Sequence, residues 1–251
     1  MQYIVFDLEF NQDFSSLNVD DIIPVSSKGL FEIIQIGAFK LDSNLQTIAT
    51  FNRLVKPAIF NKLNTVVTDL TGITTEQLMS GEGFPDVYKE FVGFLQSDEV
   101  VLCVWGLIDM KELFKNAGYH HLDISLLPRS FINVQPYVSK HLKLSSKKQL
   151  RLETAVEALG IPKTYAFHDA FHDAYYTAEV FKRILNASIK PAFYDPARLS
   201  IKTVQRKVKR EIDFNALLKQ FEKMYARELS EEEQGMVKLA YKMGRTNQFI
   251  K

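Results

Sequence analysis

The apolar run Tyr3-Ile4-Val5-Phe6 continues without a break into Asp7-Leu8-Glu9-Phe10, so two acids stand inside what otherwise reads as a buried strand. Side chains alternate along a strand, which puts Asp7 and Glu9 on one face. Two carboxylates withdrawn from water side by side repel each other unless something cationic sits between them. A divalent ion meets that need, because Mg²⁺ takes hard oxygen ligands and is commonly held by one or two carboxylates. A strand whose acids both face solvent is the alternative, and five residues alone do not choose between the two.

Two later segments bear on the choice. Val100-Val101-Leu102-Cys103-Val104-Trp105 has the length and β-branched content of a buried strand; Gly106 breaks it, and a helical pattern starts at Asp109 with Leu113 four residues on. Asp109 is thus expected near a helix N-terminus just beyond a strand, where a plain capping role is the competing reading. Further along, His168 precedes Asp173 by five residues, ahead of a helix through Glu179 and Leu185. On a continuous helix that spacing separates the two by about 140° around the axis. They converge only if His168 lies in the preceding loop and Asp173 in the first turns. A loop histidine there suits a general base. His172, in the tandem FHDA-FHDA, lacks an acid at the same spacing.

In order along the chain, Asp7/Glu9, Asp109 and His168/Asp173 resemble the motifs of the DEDDh branch of the DnaQ-like 3′–5′ exonuclease superfamily. The sister branch carries Tyr four residues before the last acid, where this chain has Asp169. Glu32-Ile33-Ile34-Gln35-Ile36-Gly37-Ala38 and Leu70-Thr71-Gly72-Ile73-Thr74 look most like the Eri-type and KapD-like exonucleases, whose substrates are mainly RNA. The resemblance implies an α/β, ribonuclease H-like mixed five-stranded sheet flanked by helices. It also implies two divalent cations, Mg²⁺ with Mn²⁺ able to substitute, held by Asp7, Glu9, Asp109 and Asp173. Asp7 would bridge both ions, and His168 would take a proton from the attacking water. Leu8, Thr71 and Gly72 would meet the substrate, and Phe10 is the aromatic favoured for stacking on a base. The expected partner is a single-stranded nucleic-acid 3′ end, RNA favoured over DNA, released as nucleoside 5′-monophosphates. A DNA-directed proofreading exonuclease and a binding module without activity are the alternatives. Self-association is left open.

The pattern elsewhere predicts strands at about 2–10, 32–42, 46–56, 100–105 and 130–134, the second and third joined by a hairpin at Asp42-Ser43-Asn44. A turn and short helix are expected around 66–80 and helices near 84–96, 109–118, 149–159 and 172–188, with the pattern helical to the end after Pro191 and Pro196. Ser230-Glu231-Glu232-Glu233 reads as a capping box and Gly244 as a helix stop. No apolar run approaches the roughly 18 residues of a membrane span, and the chain enters a strand at once, so a membrane segment or signal peptide is not expected and a cytoplasmic protein is. Cys103 is the single cysteine, which excludes an intrachain disulfide.

Charge divides the chain. Residues 190–251 carry 14 Lys/Arg against 8 Asp/Glu, while residues 1–189 carry 17 against 22. This supports a division into an exonuclease part over 1–189 and a basic helical extension over 190–251. Two basic clusters stand out: Arg198, Lys202, Arg206, Lys207, Lys209 and Arg210; and Lys140, Lys143, Lys147, Lys148 and Arg151. Each is either a solvated face or a contact for phosphates.

Overall fold

The computed structural model describes residues 1–12, 31–60, 62–97, 99–145, 149–197 and 214–245. Arg198 to Arg210, Lys147 and Lys148 lie outside them. The chain divides into two compact units, Met1–Pro196 and Ala197–Lys251.

The first unit is built on β1 (Gln2–Asn11), which carries the acid pair. β2 (Glu32–Leu41) and β3 (Thr47–Lys56) extend the sheet antiparallel on one side. Their hairpin is held by Asp42, whose Oδ1 accepts the Asn44 and Gln46 N–H groups at 2.9 and 2.8 Å. On the other side β5 (Val100–Val104) and β6 (Ser130–Asn133) run parallel to β1. Two-residue strands close the edges: β4 (Glu82–Gly83) beside β3, and β7 (Ala192–Phe193) beside β6. The seven-stranded order is β4-β3-β2-β1-β5-β6-β7. The five longer strands are the ones the sequence pattern predicts; the edge strands are too short to leave a periodic signal.

Helices cover both faces. On one, α7 (Ala170–Ile184) turns its buried Ala170, Ala174 and Ala178 and its Phe181 toward the sheet, where Tyr3, Val5, Phe39, Leu41, Val101 and Cys103 meet it or its neighbours in one apolar cluster. Small residues four apart bring a helix backbone close to its partner. Opposite, Phe6 and Phe51 pack against Phe91 of α3 (Phe84–Leu95) at ring separations of 5.9 and 5.2 Å. The turn and short helix expected around 66–80 are preceded by a further helix: α1 (Thr65–Thr71) ends at Gly72, which adopts φ 71°, and Thr74 and Gln77 form a capping box for α2 (Thr75–Met79).

Several other expectations need correction. A helix α5 (Val134–His141), which the pattern did not predict, follows β6 directly with Pro136 in its first turn. Proline is tolerated in a first helical turn, and Asn133 caps it through the Gln135 N–H at 3.2 Å. α6 starts at Leu152 and ends at Ala158, shorter than predicted. Between Pro191 and Pro196, ahead of the helical pattern, an unpredicted β7 and Tyr194, ringed by Phe114 and Phe131, complete the sheet edge.

The second unit contains α8 (Phe214–Tyr225) and α9 (Glu231–Arg245). The capping box opens α9 as predicted: Ser230 Oγ accepts the Glu233 N–H at 3.3 Å, and Glu233 Oε2 accepts the Ser230 N–H at 3.0 Å. Gly244 lies in the last turn of α9, which the described residues follow to Arg245.

Candidate active site

The ladder between β1 and β5 ends at Val5 and Cys103. Beyond it the chain leaves β5 through Gly106, whose φ of 93° requires glycine, and enters α4 (Ile108–Tyr119). A crevice thus opens outside the carboxyl end of the parallel strands, the usual place for a ligand in such sheets. Asp7 and Glu9 stand on the part of β1 that has passed that ladder. Asp109 sits in the first turn of α4 and is buried; the N-cap itself is Leu107, so Asp109 is not a capping residue.

α7 brings the remaining pair. His168 lies in the loop before the helix, exposed and in the left-handed region at φ 66°, and Asp173 lies in the first turn. The His168 N–H donates to Asp173 Oδ2 at 3.2 Å, so the two occupy one locality, as their spacing requires. His172 faces elsewhere. Its ring stacks on Tyr165 at 4.6 Å and 6°, with Nδ1 3.5 Å from Asp169 Oδ1.

Two β2 residues position this arrangement, and motif reading did not assign them a role. Gly37 pairs with Asp7, and a Cβ there would lie 2.2 Å from the Ala170 carbonyl carbon. Glycine therefore admits the start of α7 directly onto the strand beside the acid pair. Gln35 pairs with Glu9; its Nε2 donates to Asp169 Oδ2 at 3.0 Å and its Oε1 accepts the Ala170 N–H at 3.0 Å. Asp169 in turn caps α7 by accepting the His172 N–H at 3.0 Å. A glycine and a glutamine inside an otherwise apolar strand were the available signal, since glycine within a strand often marks close backbone approach.

Carboxylate oxygens of Asp7, Glu9 and Asp173 all lie within 4.8 Å of one another. Burial, then Asp109, Asp173 and Glu9, raise the Asp7 carboxyl well above its ordinary range. Burial followed by Asp173 and Asp109 pushes Glu9 up to about 8. Asp109 and Asp173 are each raised to about 7, mainly by burial, against backbone hydrogen bonds that pull them down. Asp173 Oδ1 is buried and has no hydrogen-bond partner among the described residues. An all-oxygen, anionic set with a bare buried oxygen fits a hard divalent cation.

The substrate-contact expectations fall in different places. Leu8 alternates to the face opposite the acids, and the β1–β2 register shifts between Glu9 and Phe10. Leu8 is buried, and Phe10 packs edge-on against Phe31 at 5.8 Å. Thr71 and Gly72 end α1, with Thr71 Oγ1 donating to the Val67 carbonyl at 2.8 Å.

This is the ribonuclease H-like α/β fold, with acids gathered at the end of its central strand. Residues 4–181 match the exonuclease family RNase_T, and the chain belongs to that family, within the DnaQ-like 3′–5′ exonuclease superfamily. Over 192 residues it is 27% identical to the PolC-type DNA polymerase III of Thermotoga maritima, covering 74% of this chain and 12% of the polymerase. It is 25% identical over 164 residues to 3′-5′ exoribonuclease 1 of Rattus norvegicus, covering 62% of this chain and 47% of the rat protein. The chain therefore spans less than half the length of either relative. The solved nuclease domain of 3′hExo, a DEDDh family member bound to rAMP, superposes with a TM-score of 0.63 at 21% identity, covering 77% of this chain and 96% of that domain, which establishes the fold. Among the described residues no helix is long and apolar enough to cross a membrane.

Proposed function

We propose that the protein removes nucleotides from the 3′ end of single-stranded nucleic acid, RNA in preference to DNA, releasing nucleoside 5′-monophosphates. The observation that carries this reading is the convergence of Asp7, Glu9 and Asp173 oxygens beside the His168 loop. Asp7, Glu9 and Asp173, with Asp109 behind them, would hold two divalent cations, Mg²⁺ or Mn²⁺, which supply charge stabilisation to an in-line displacement at phosphorus. His168 takes the proton of the attacking water. A bond forms from that water to phosphorus, and the bond from phosphorus to the 3′ oxygen of the penultimate nucleotide breaks. The released nucleotide keeps the phosphate, and the shortened strand regains a 3′ hydroxyl. The left-handed turn at His168 holds the imidazole outside the helix, free to reach solvent, while its backbone fixes Asp173.

The rat exoribonuclease and the rAMP-bound nuclease domain support the RNA preference. The PolC-type polymerase, aligned over 74% of this chain, supports a DNA-directed exonuclease as the second reading. Matched 5′-labelled single strands of RNA and DNA, incubated with the protein and Mg²⁺, separate them. A ladder shortening from the 3′ end faster on RNA is expected. Faster cleavage of DNA would select the second reading, and strands of both kinds that stay full length would overturn the activity.

A further inference from the structure

We infer that a second nucleotide-binding cavity lies beside the acid cluster and holds the single strand upstream of its 3′ end; this rests on the exonuclease reading. The cavity has a volume of about 690 Å³ and opens between the end of β6, α5 and β7. That is within the roughly 300–1,000 Å³ of ordinary ligand sites. Its wall is chemically divided. Leu107, Phe131 and Tyr137 offer apolar and aromatic surface, while Lys140, Lys143 and Lys190 bring three positive charges. Among the described residues no acidic side chain lines it. Among the described residues none of the three lysines has an ion-pair partner, unlike Lys111, Lys115, Lys163 and Lys182. Asn133 Oδ1, in the same lining, is already engaged, accepting the Gly106 and Gln135 N–H groups at 3.1 and 3.2 Å.

Position links this cavity to the site. Leu107 lies two residues before Asp109, and the Asn133–Gly106 bond ties β6 to the loop that leads into the helical turn carrying Asp109. Leu107 and Ile108 are 49% and 60% exposed, an apolar surface on that same loop. Lys143 adds a separate mark. It holds φ 56° at the end of α5, in the position where glycine is ordinarily found, closing the turn through its neighbour's N–H, from Leu144 to the Ser139 carbonyl at 2.8 Å. A lysine kept in that strained conformation is explained if its charge is used. A polyanion whose bases need a stacking surface and whose phosphates need unpaired cations matches both halves of the wall.

The test uses the full chain with Lys140, Lys143 and Lys190 all replaced by Gln, and separately with Lys143→Gly, which relaxes the left-handed turn. Binding of a fluorescent single-stranded RNA is read by anisotropy in EDTA across a salt series, so it does not depend on turnover. The triple variant should bind roughly tenfold or more weakly, with the log–log salt slope reduced by about 2, at about 0.7 per lost phosphate contact. Lys143→Gly should weaken binding while its melting temperature holds or rises, which separates the charge from the fold. Cleavage of a dinucleotide, too short to reach the cavity, should be unchanged in both. Unaltered affinity and slope would overturn the cavity, as would a parallel loss on strand and dinucleotide. Displacement of the strand by poly-glutamate as readily as by unlabelled oligonucleotide would overturn it in favour of an acidic protein partner. Failure of the exonuclease reading shows separately, as wild type that leaves the dinucleotide intact.

Discussion

At the scale of single residues, the informative contrast is between groups that look alike in sequence and differ in setting. His168 and His172 sit in the same repeated tetrapeptide, yet one lies in a left-handed loop bonded to Asp173 and the other is stacked on Tyr165. His168→Ala should slow hydrolysis by about 10²–10⁴-fold, the usual share of a positioned general base, with substrate binding in Ca²⁺ nearly unchanged. His172→Ala should cost far less. Equal impairment in a single-turnover assay would place the base elsewhere. The acids allow a second prediction. Asp7→Asn removes the group under the strongest electrostatic pressure, so it should abolish activity and leave the metal-free protein at least as stable as wild type in a thermal melt. A large fall in melting temperature in EDTA would mean that Asp7 is stabilised by a partner rather than opposed by its neighbours.

At the scale of elements, β2 decides where α7 begins. Gly37→Ala would drive a methyl group against the Ala170 backbone, which cannot yield as a flexible side chain can. The expected cost is at the upper end of the roughly 1–3 kcal/mol of ordinary overpacking, or more, with weaker divalent binding in calorimetry because Asp173 shifts away from Asp7. A variant as stable as wild type that still binds Mg²⁺ would contradict the close approach. Glu112 and Asn116 of α4 hold the start of β2 in a similar way: Asn116 Oδ1 accepts the Ile33 N–H at 3.2 Å, and Glu112 Oε2 accepts the Phe31 N–H at 3.4 Å. β2 is thereby tied to both of the helices that carry acids of the site.

At the scale of the whole molecule, the gathered acids make stability depend on pH. Glu9 is raised to about 8, and Asp109 and Asp173 to about 7, against the ordinary range near 4 in an unfolded chain. Between those values the folded protein holds more protons than the unfolded one. Its stability is therefore full below about pH 4 for these groups and falls as pH rises through 7 to 8. In EDTA the melting temperature should decline from pH 5 to 8, and saturating Mg²⁺ should remove most of that decline by replacing the protons. A melting temperature that rises over this interval in EDTA would argue against a shared site. The division into an exonuclease part over 1–189 and an extension over 190–251 is a proposal that truncation tests. β7 pairs with β6, and Tyr194 packs between Phe114 and Phe131, so a chain ending after Pro196 should melt higher than one ending after Ile189. Equal melting would show the edge strand to be dispensable.

The amino-acid sequence by itself determined the five long strands, because alternation and β-branched runs are local properties. It also determined the register of His168 and Asp173, because a loop followed by a helix is the one arrangement that unites residues five apart. The capping box at Ser230 is local in the same sense. The positions of Gln35 and Gly37 opposite Glu9 and Asp7 were legible only as irregularities in an apolar strand. Their purpose depends on α7, more than 130 residues away in the chain. β7 was invisible because two residues carry no period, and α5 because a proline in a first turn looks like a break. The meeting of Lys140, Lys143 and Lys190 around one cavity was likewise decided by the fold, since the α5 end and the β7 approach come together only when β6 and β7 pair. Patterns whose repeat lies within one element can be read from neighbours in sequence; contacts between elements depend on packing, and packing exists only in three dimensions.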